Sequence, residues 1–338
     1  MKERHAVITG LGLVTPLGTG LGATRRALAE SRSAIAPATL FDASPFASPL
    51  AGEVHDLDPR ACFRVPKALK LCDRRTRFAV CAAAMALEDA GFPAGPCEGL
   101  GVSIGTSGSD LGAEELSAAL ARAEDPALPA RDTGAFGEAA LAGLNPLWLL
   151  VHLPNMTSAH VAIQREARGP NTTVMTGWAA GLAAIIEGAA WIAEGRADAV
   201  LAGGADSAVH PFAFAALEQE GLLSGPSPLV PAEGAAVVLL EERAAALARG
   251  ARILGEVGAH ALSAGTRLAA AAAEGTGAPS LPPERLARNP LAAHAPAALV
   301  LALAEGLAGP VAAVATGPAG EASALQVLPP ERAARSAA

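Results

Sequence analysis

The stretch NTTVMTGWAAGLAAIIEGAAWIAEGRADAVLAGGAD, residues 171–206, decides the fold. Its β-branched start, its Gly/Ala-rich middle and its apolar end predict a strand, a helix and a second strand in succession. That order implies a right-handed βαβ crossover and a parallel sheet covered on both faces. Trp178 lies at the corner between the first strand and the helix. Such a corner commonly presents a nucleophile, and an indole has none to offer.

The flanking segments continue the alternation of short apolar strands with alanine-rich helices. Residues 5–12 and 99–108 are Val/Ile-containing runs bounded by glycine, which predicts buried strands. Residues 77–91 space their apolar side chains for a helix that ends in a glycine. Residues 297–316 are apolar but interrupted by charge, glycine and proline, so they predict a buried helix plus a strand and no membrane span.

Composition excludes several functional classes. The chain has 338 residues, enough for one large or two ordinary domains. Its formal net charge of −8 argues against a nucleic-acid-binding protein, which needs a dominant basic face. The four cysteines form no C-x-x-C pair and have no histidines at zinc-ligand spacing, so we expect reduced thiols, no metal and no cofactor. The N-terminal segment has no signal-peptide core, which favours a cytoplasmic location.

Two similar strand-rich openings, at the N-terminus and near residue 251, suggest an internal duplication. We therefore divide the chain into an N-terminal half, residues 1–240, and a shortened C-terminal half, residues 241–338. Residues 109–144 are polar, acidic and punctuated by proline and glycine. They predict a helical region inserted at about residues 109–150.

Five segments, in the same order along the chain, resemble those of β-ketoacyl synthases of the thiolase fold. Each match is a weak glycine-rich pattern, but five in the right order form a strong signal. The resemblance implies an α/β, duplicated, five-layered α-β-α-β-α architecture with two mixed sheets and a central buried helix layer. The segments are residues 7–20, 71–91, 153–181, 195–206 and 233–242.

The resemblance also shows which catalytic groups this chain lacks. The family's nucleophilic cysteine, in T-A-C-A-x-G, falls on Trp178. The first of its two histidines falls on Glu274, its lysine falls on Asn289, and the second histidine is retained as His294. The family's terminal glycine-rich loop matches residues 315–327, without its phenylalanine. A chain without the thiolate and the lysine, and with one imidazole, does not carry out Claisen condensation.

These losses resemble the chain length factor subfamily of type II polyketide synthases. Such a subunit forms a heterodimer with a ketosynthase and closes the tunnel that receives the growing polyketide or polyene chain. Trp178 then either fills the vacated acyl pocket or is a core residue that has drifted. The tunnel-gate candidates lie within residues 111–150: Leu116, Leu120, Phe136, Leu147 and Trp148.

A basic segment, residues 60–77, carries seven Lys and Arg against one Asp within an acidic protein. In the family this region lies near the docking site of the acidic acyl carrier protein. Complementary charge therefore predicts carrier contacts, unless the segment is an ordinary solvated helix face. The candidates are Arg64, Lys67, Lys70, Arg74 and Arg75.

Two other functions remain open from the sequence. The chain could be a stand-alone acyl-processing enzyme that uses Glu274 and His294 as an acid–base pair. It could also be a purely structural pseudo-ketosynthase that stabilises its partner. Co-purification separates them, because only the stand-alone enzyme needs no ketosynthase.

Overall fold

Strands and helices alternate along the chain. The structure, a computed structural model, describes residues 4–108, 112–123, 133–226, 228–263, 293–318 and 321–330. Its strands are β1 (Ala6–Thr15), β2 (Gly18–Thr19), β3 (Ile35–Pro37), β4 (Leu50–Gly52), β5 (Leu100–Gly105), β6 (Asn171–Val174), β7 (Ala199–Ser207), β8 (Glu233–Glu242), β9 (Gly255–Ser263), β10 (Val311–Thr316) and β11 (Ala322–Leu328). Its α-helices are α1 (Leu21–Ala29), α2 (Arg74–Asp89), α3 (Ala113–Ala123), α4 (Thr133–Gly143), α5 (Trp148–His152), α6 (Met156–Arg165), α7 (Ala180–Ala193), α8 (Pro211–Gln219), α9 (Arg243–Ala248) and α10 (His294–Glu305).

The stretch that decides the fold forms β6, α7 and β7, as the sequence predicts. Both strands run parallel to β5, which lies between them in the sheet. The parallel arrangement of the crossover is therefore confirmed. The predicted helix and strand of residues 297–316 are confirmed as α10 and β10.

Hydrogen bonding links the main strands into one nine-stranded mixed sheet. Its order is β10-β11-β9-β1-β8-β7-β5-β6, and β2 pairs with β1. The resemblance predicts two sheets, and the two parts are recognisable: five strands belong to the N-terminal half and three to the C-terminal half. They meet where β1 and β9 share two residue pairs, Val7 with Glu256 and Ile8 with Gly255. This narrow junction explains why two expected sheets are continuous here.

Helices α7 and α10 form the central buried layer that the resemblance predicts. Both contact strands of the five-stranded part and strands of the three-stranded part, and their apolar side chains belong to one core cluster with both sets of strands. Helix α2 packs on the opposite face of the five-stranded part and against α6. Four layers are thus traced in the described residues, and the fifth stays a prediction.

The central strands are apolar on both faces because helices cover both. Along β7, Val200 and Ala202 face the core around α7, whereas Leu201 faces the core around α2. Successive side chains of a strand point to opposite faces, so a strand between two helix layers has no polar positions in its middle. This is why the sequence of β7 reads as a continuous apolar run.

The first turn of α7 lies directly on the backbone of β5. A Cβ at Gly105 would overlap the backbone of Ala180. The missing side chain therefore allows the close approach that fixes where α7 begins. The start of this helix is the corner that carries Trp178.

The inserted region is helical where the structure describes it. It contains α3, α4 and the start of α5, while residues 109–111 and 124–132 lie outside the described part, and its being an insertion stays a prediction. β8 ends at Glu242, and the division into halves at residue 240 stays a prediction. Among the described residues, no helix is both long enough and apolar enough to cross a membrane.

Candidate active-site elbow

The corner between β6 and α7 is a tight turn, which we call the elbow (residues 175–180). Gly177 has a φ of +56°, in the left-handed region that favours glycine. Residues Gly177–Ala179 form one turn of 3₁₀ helix, and α7 starts at Ala180. Trp178 is half-buried in the middle of this turn. The structure therefore places the indole where the sequence predicts it.

The backbone amide of Trp178 is bound by a carboxylate from a distant part of the chain. Its N–H donates to Oε1 of Glu321 at 3.1 Å. A carboxylate is favourable at this position because the amides at a helix N-terminus are unpaired and carry partial positive charge. The elbow amide is thus satisfied within the chain.

The terminal glycine-rich loop reaches the elbow between β10 and β11. Ser323 Oγ donates to the Ala179 carbonyl oxygen at 3.0 Å. The Gly317 N–H donates to the backbone oxygen of Glu321 at 3.0 Å, which closes the loop beneath the carboxylate. The described residues of the terminal glycine-rich segment, 317 and 321–323 among them, therefore lie next to the elbow.

The other family positions are only partly described. His294 is the first residue of α10 and is half-buried. Glu274 and Asn289 lie outside the described residues, so the acid–base pair of Glu274 with His294 stays a prediction. No group of His, Cys, Asp and Glu that could hold a metal ion occurs in the described part of the chain.

No cysteine lies at the elbow. All four are free thiols, in or near α2 and before β5: Cys62, Cys72, Cys81 and Cys97. Burial, with Asp73 beside it, raises the pKa of Cys72 to about 12. The pKa of Cys81 is also raised, first by its hydrogen bond with Cys62 and then by burial. These two thiols are poor nucleophiles at neutral pH.

The basic segment divides into an exposed part and a buried part. Arg64, Lys67 and Lys70 are exposed, so they are available for docking. Arg74 instead binds Glu233, whose carboxylate is fully buried. The Nε of Arg74 donates to Oε2 of Glu233 at 2.8 Å. The Arg74 side chain is nevertheless 36% exposed, so a carrier contact at Arg74 stays a prediction.

Arg75 is buried and unavailable for docking, contrary to the prediction from sequence. Its side chain is 2% exposed, and its Nη2 donates to Oδ2 of Asp73 at 2.7 Å. Its Nη1 donates to Thr106 Oγ1 at 3.2 Å and to the carbonyl oxygen of Gly108. A buried guanidinium with these partners cannot reach another protein. Arg75 therefore joins the start of α2 to the end of β5.

The tunnel-gate candidates are less buried than core residues. Leu120 and Leu147 are exposed by 41% and 48%. Leu116, Phe136 and Trp148 are half-buried, and the ring of Trp148 lies 5.1 Å from that of His152. The structure brings α3 and α4 into contact but assigns no tunnel to these side chains. Their role as a gate stays a prediction.

An exposed apolar surface begins next to Trp148 and is not among the sites predicted from the sequence. We call it the α5–β6 surface, because it lies on α5, α6 and the residue after β6, and these elements are in contact. The signal is visible in the sequence as the apolar run LWLLVHL at residues 147–153. The exposed members are Leu149, Leu150, Leu153, Ile163 and Met175.

The family is established by comparison with known proteins. The model of the beta-ketoacyl synthase N-terminal domain matches residues 3–246. The chain belongs to the beta-ketoacyl synthase family. Within this family the chain is 32% identical to 3-oxoacyl-[acyl-carrier-protein] synthase 2 of Synechocystis sp. over 280 residues, 78% of the chain and 64% of that protein. It is 34% identical to the granaticin polyketide putative beta-ketoacyl synthase 1 of Streptomyces violaceoruber, over 76% of the chain and 63% of that protein.

The fold is that of ketosynthases over almost the whole chain. The solved structure of the ishigamide ketosynthase/chain length factor superposes with a TM-score of 0.80. The match covers 97% of this chain and 99% of that one, at 22% identity. The chain thus spans the thiolase-like fold, although the matched part covers under two thirds of the length of the two curated synthases.

Proposed function

We propose that this chain is a non-catalytic chain length factor in type II polyketide biosynthesis. It pairs with a catalytic ketosynthase and shapes the tunnel that holds the growing chain. The observation that carries the proposal is the indole of Trp178 at the elbow, where an acyl-transferring member of the family needs a thiol. An indole nitrogen has no lone pair available for acyl transfer and does not ionise near neutral pH.

Two further observations support this function over that of a free-standing enzyme. The elbow amide is already bound by Glu321, and none of the four cysteines lies at the elbow. The curated relatives act on acyl carrier protein or make polyketides by name, so the substrate of the complex is proposed to be a carrier-bound polyketide.

Co-expression with a ketosynthase that retains its Cys-His-His set tests the proposal. The pair is expected to co-purify and to make chains that the ketosynthase alone does not make. Turnover by the isolated chain, abolished by Glu274→Gln, would instead establish the stand-alone enzyme. A stable pair whose product length is insensitive to Leu116, Phe136 and Trp148 substitutions would leave a purely structural subunit.

The α5–β6 surface is the proposed contact with the ketosynthase. Strand β6 pairs with β5 on one side, and its other edge has no strand partner among the described residues. Met175, which directly follows β6, is 53% exposed, and Leu149 on α5 is 56% exposed. An open strand edge flanked by exposed apolar side chains is a typical protein interface.

Leu149→Asp is expected to abolish co-purification with the ketosynthase. The change removes a leucine contact from the interface and leaves a carboxylate unpaired there, a loss of about 3 kcal/mol or roughly 100-fold in affinity. Leu247→Asp is the matched control, because Leu247 is a leucine of similar exposure, 58%, on α9. Affinity measured by titration of the tagged chains would contradict the interface if both variants bound alike.

Lys67→Glu/Lys70→Glu is expected to weaken use of the acyl carrier protein by the reconstituted pair. Reversing two exposed charges should raise the apparent KM for the carrier about fivefold at low salt, with the difference shrinking as salt screens the charges. Arg25→Glu/Arg26→Glu, on the exposed side of α1, is the control with the same charge change. Condensation rates against carrier concentration at two salt concentrations check this, and a salt dependence equal to that of the unmodified pair would exclude docking at this segment.

A further inference from the structure

Glu321 is held against the elbow by two glycines, one on each segment. A Cβ at Gly177 would overlap Oε1 of Glu321, and a Cβ at Gly317 would overlap the same oxygen. The carboxylate therefore occupies space that exists because both residues lack side chains. Its position is fixed further by the hydrogen bond from the Trp178 amide and by the closure of the loop from Gly317.

The second carboxylate oxygen of Glu321 is left without compensation. Oε2 is buried and has no hydrogen-bond partner among the described residues. A buried unpaired oxygen costs free energy, and the hydrogen bond from the Trp178 amide to Oε1 offsets part of that cost. Ser323, two residues further on, bonds the Ala179 carbonyl and holds β11 against the same turn. The segment from Glu321 to Ser323 is therefore hydrogen-bonded to the elbow at both Trp178 and Ala179.

We propose that Glu321 is an internal lock on the elbow, which makes the chain inert independently of the loss of the nucleophile. The carboxylate takes the amide of residue 178, the donor that an acyl carbonyl oxygen or a thiolate at this corner would use. Its negative charge opposes a second anion there. Glu321 thereby excludes an acyl thioester from the elbow.

The lock determines how a thiol restored at the elbow would behave. Trp178→Cys alone places a thiol beside a carboxylate, and a like charge raises the pKa of a thiol by disfavouring the thiolate. Neutralising Glu321 removes that opposition while the helix N-terminus continues to favour the anion. The inference deepens the proposed function and rests on it for its biological meaning, but its test depends on the geometry of the elbow and not on the presence of a partner.

The test compares W178C with W178C/E321Q in the single full-length chain. The rate of alkylation by iodoacetamide at position 178 is measured by peptide mapping between pH 6 and 10, with the native Cys97 as an internal reference. The double variant is expected to react about tenfold faster near pH 7.5, which corresponds to a shift of about one unit in the pKa of the introduced thiol. Equal rates, within about twofold, would overturn the lock.

A second route displaces the carboxylate without removing its charge. Gly317→Ala places a Cβ where Oε1 lies, and the end of a flexible side chain can move away. W178C/G317A is therefore expected to react faster than W178C, and this comparison decides if the E321Q variant does not fold. Faster labelling in a chain that pairs with no ketosynthase would keep the lock and reject the proposed function. Equal labelling rates in a chain that forms a working pair with a ketosynthase would reject the lock and keep the proposed function.

Discussion

Arg75→Met is expected to lower the free energy of unfolding by about 3–5 kcal/mol, the usual loss when one partner of a buried ion pair is removed. Methionine fills much of the arginine volume but leaves the buried Asp73 carboxylate without its cation. It also removes one of the two donors to the Gly108 carbonyl oxygen, leaving the hydroxyl of Thr106 at 2.9 Å. Because Asp73 caps α2 through the Thr76 amide, the first turn of that helix is weakened as well.

Urea unfolding of the purified chain measures this effect, with Arg64→Met as the control. Arg64 is half-exposed and lies 3.6 Å from Glu166 in a surface pair, so its loss is expected to change stability by less than about 1 kcal/mol. Equal midpoints for the two variants would show that Arg75 is not a buried anchor of α2.

Gly105→Ala is expected to destabilise the chain by about 3 kcal/mol, at the upper end of overpacking costs in a close-packed interior. The added methyl group has no space, since it would overlap the Ala180 backbone at the start of α7. The helix must move away from β5, and the elbow moves with it. The midpoint of thermal unfolding and the tryptophan fluorescence, to which Trp178 contributes, are both expected to change.

Gly22→Ala provides a control of opposite sign. Gly22 lies in α1, and a Cβ there would meet no atom within 4 Å. Alanine in an exposed helix is favoured over glycine by about 0.5–1 kcal/mol, so this variant should be slightly more stable. A destabilised Gly22→Ala, or a neutral Gly105→Ala, would contradict the packing at these two positions.

Much of the fold was predictable because its central strands and helices have simple patterns. The segment Glu233–Glu242, singled out by its resemblance to the family, has the bounds of β8 in the structure. Gly91, two residues beyond the end of α2, has a φ of +56°, as expected for a glycine that stops a helix. The position of Trp178 could be inferred from the strand and helix on either side. These features depend on residues close together in the chain.

The contacts that define the site depend on residues far apart and were not predictable. Trp178 and Glu321 are 143 positions apart in the sequence, and no local pattern marks Glu321 as its partner. The burial of Arg75 left a weak signal, because it lies on the same helix face as Ala79, Ala82 and Ala86. In a run of seven basic residues this signal was outweighed by charge, which ordinarily indicates a solvated surface.

The narrow junction between β1 and β9 determines which force holds the five-stranded and three-stranded parts of the sheet together. With two residue pairs across the junction, backbone pairing contributes little, and the apolar faces of α7 and α10 supply most of the attachment. Apolar attraction weakens on cooling. Backbone hydrogen bonding between strands within each part weakens less. Cooling is therefore expected to weaken the attachment between the two parts more than it weakens either part by itself.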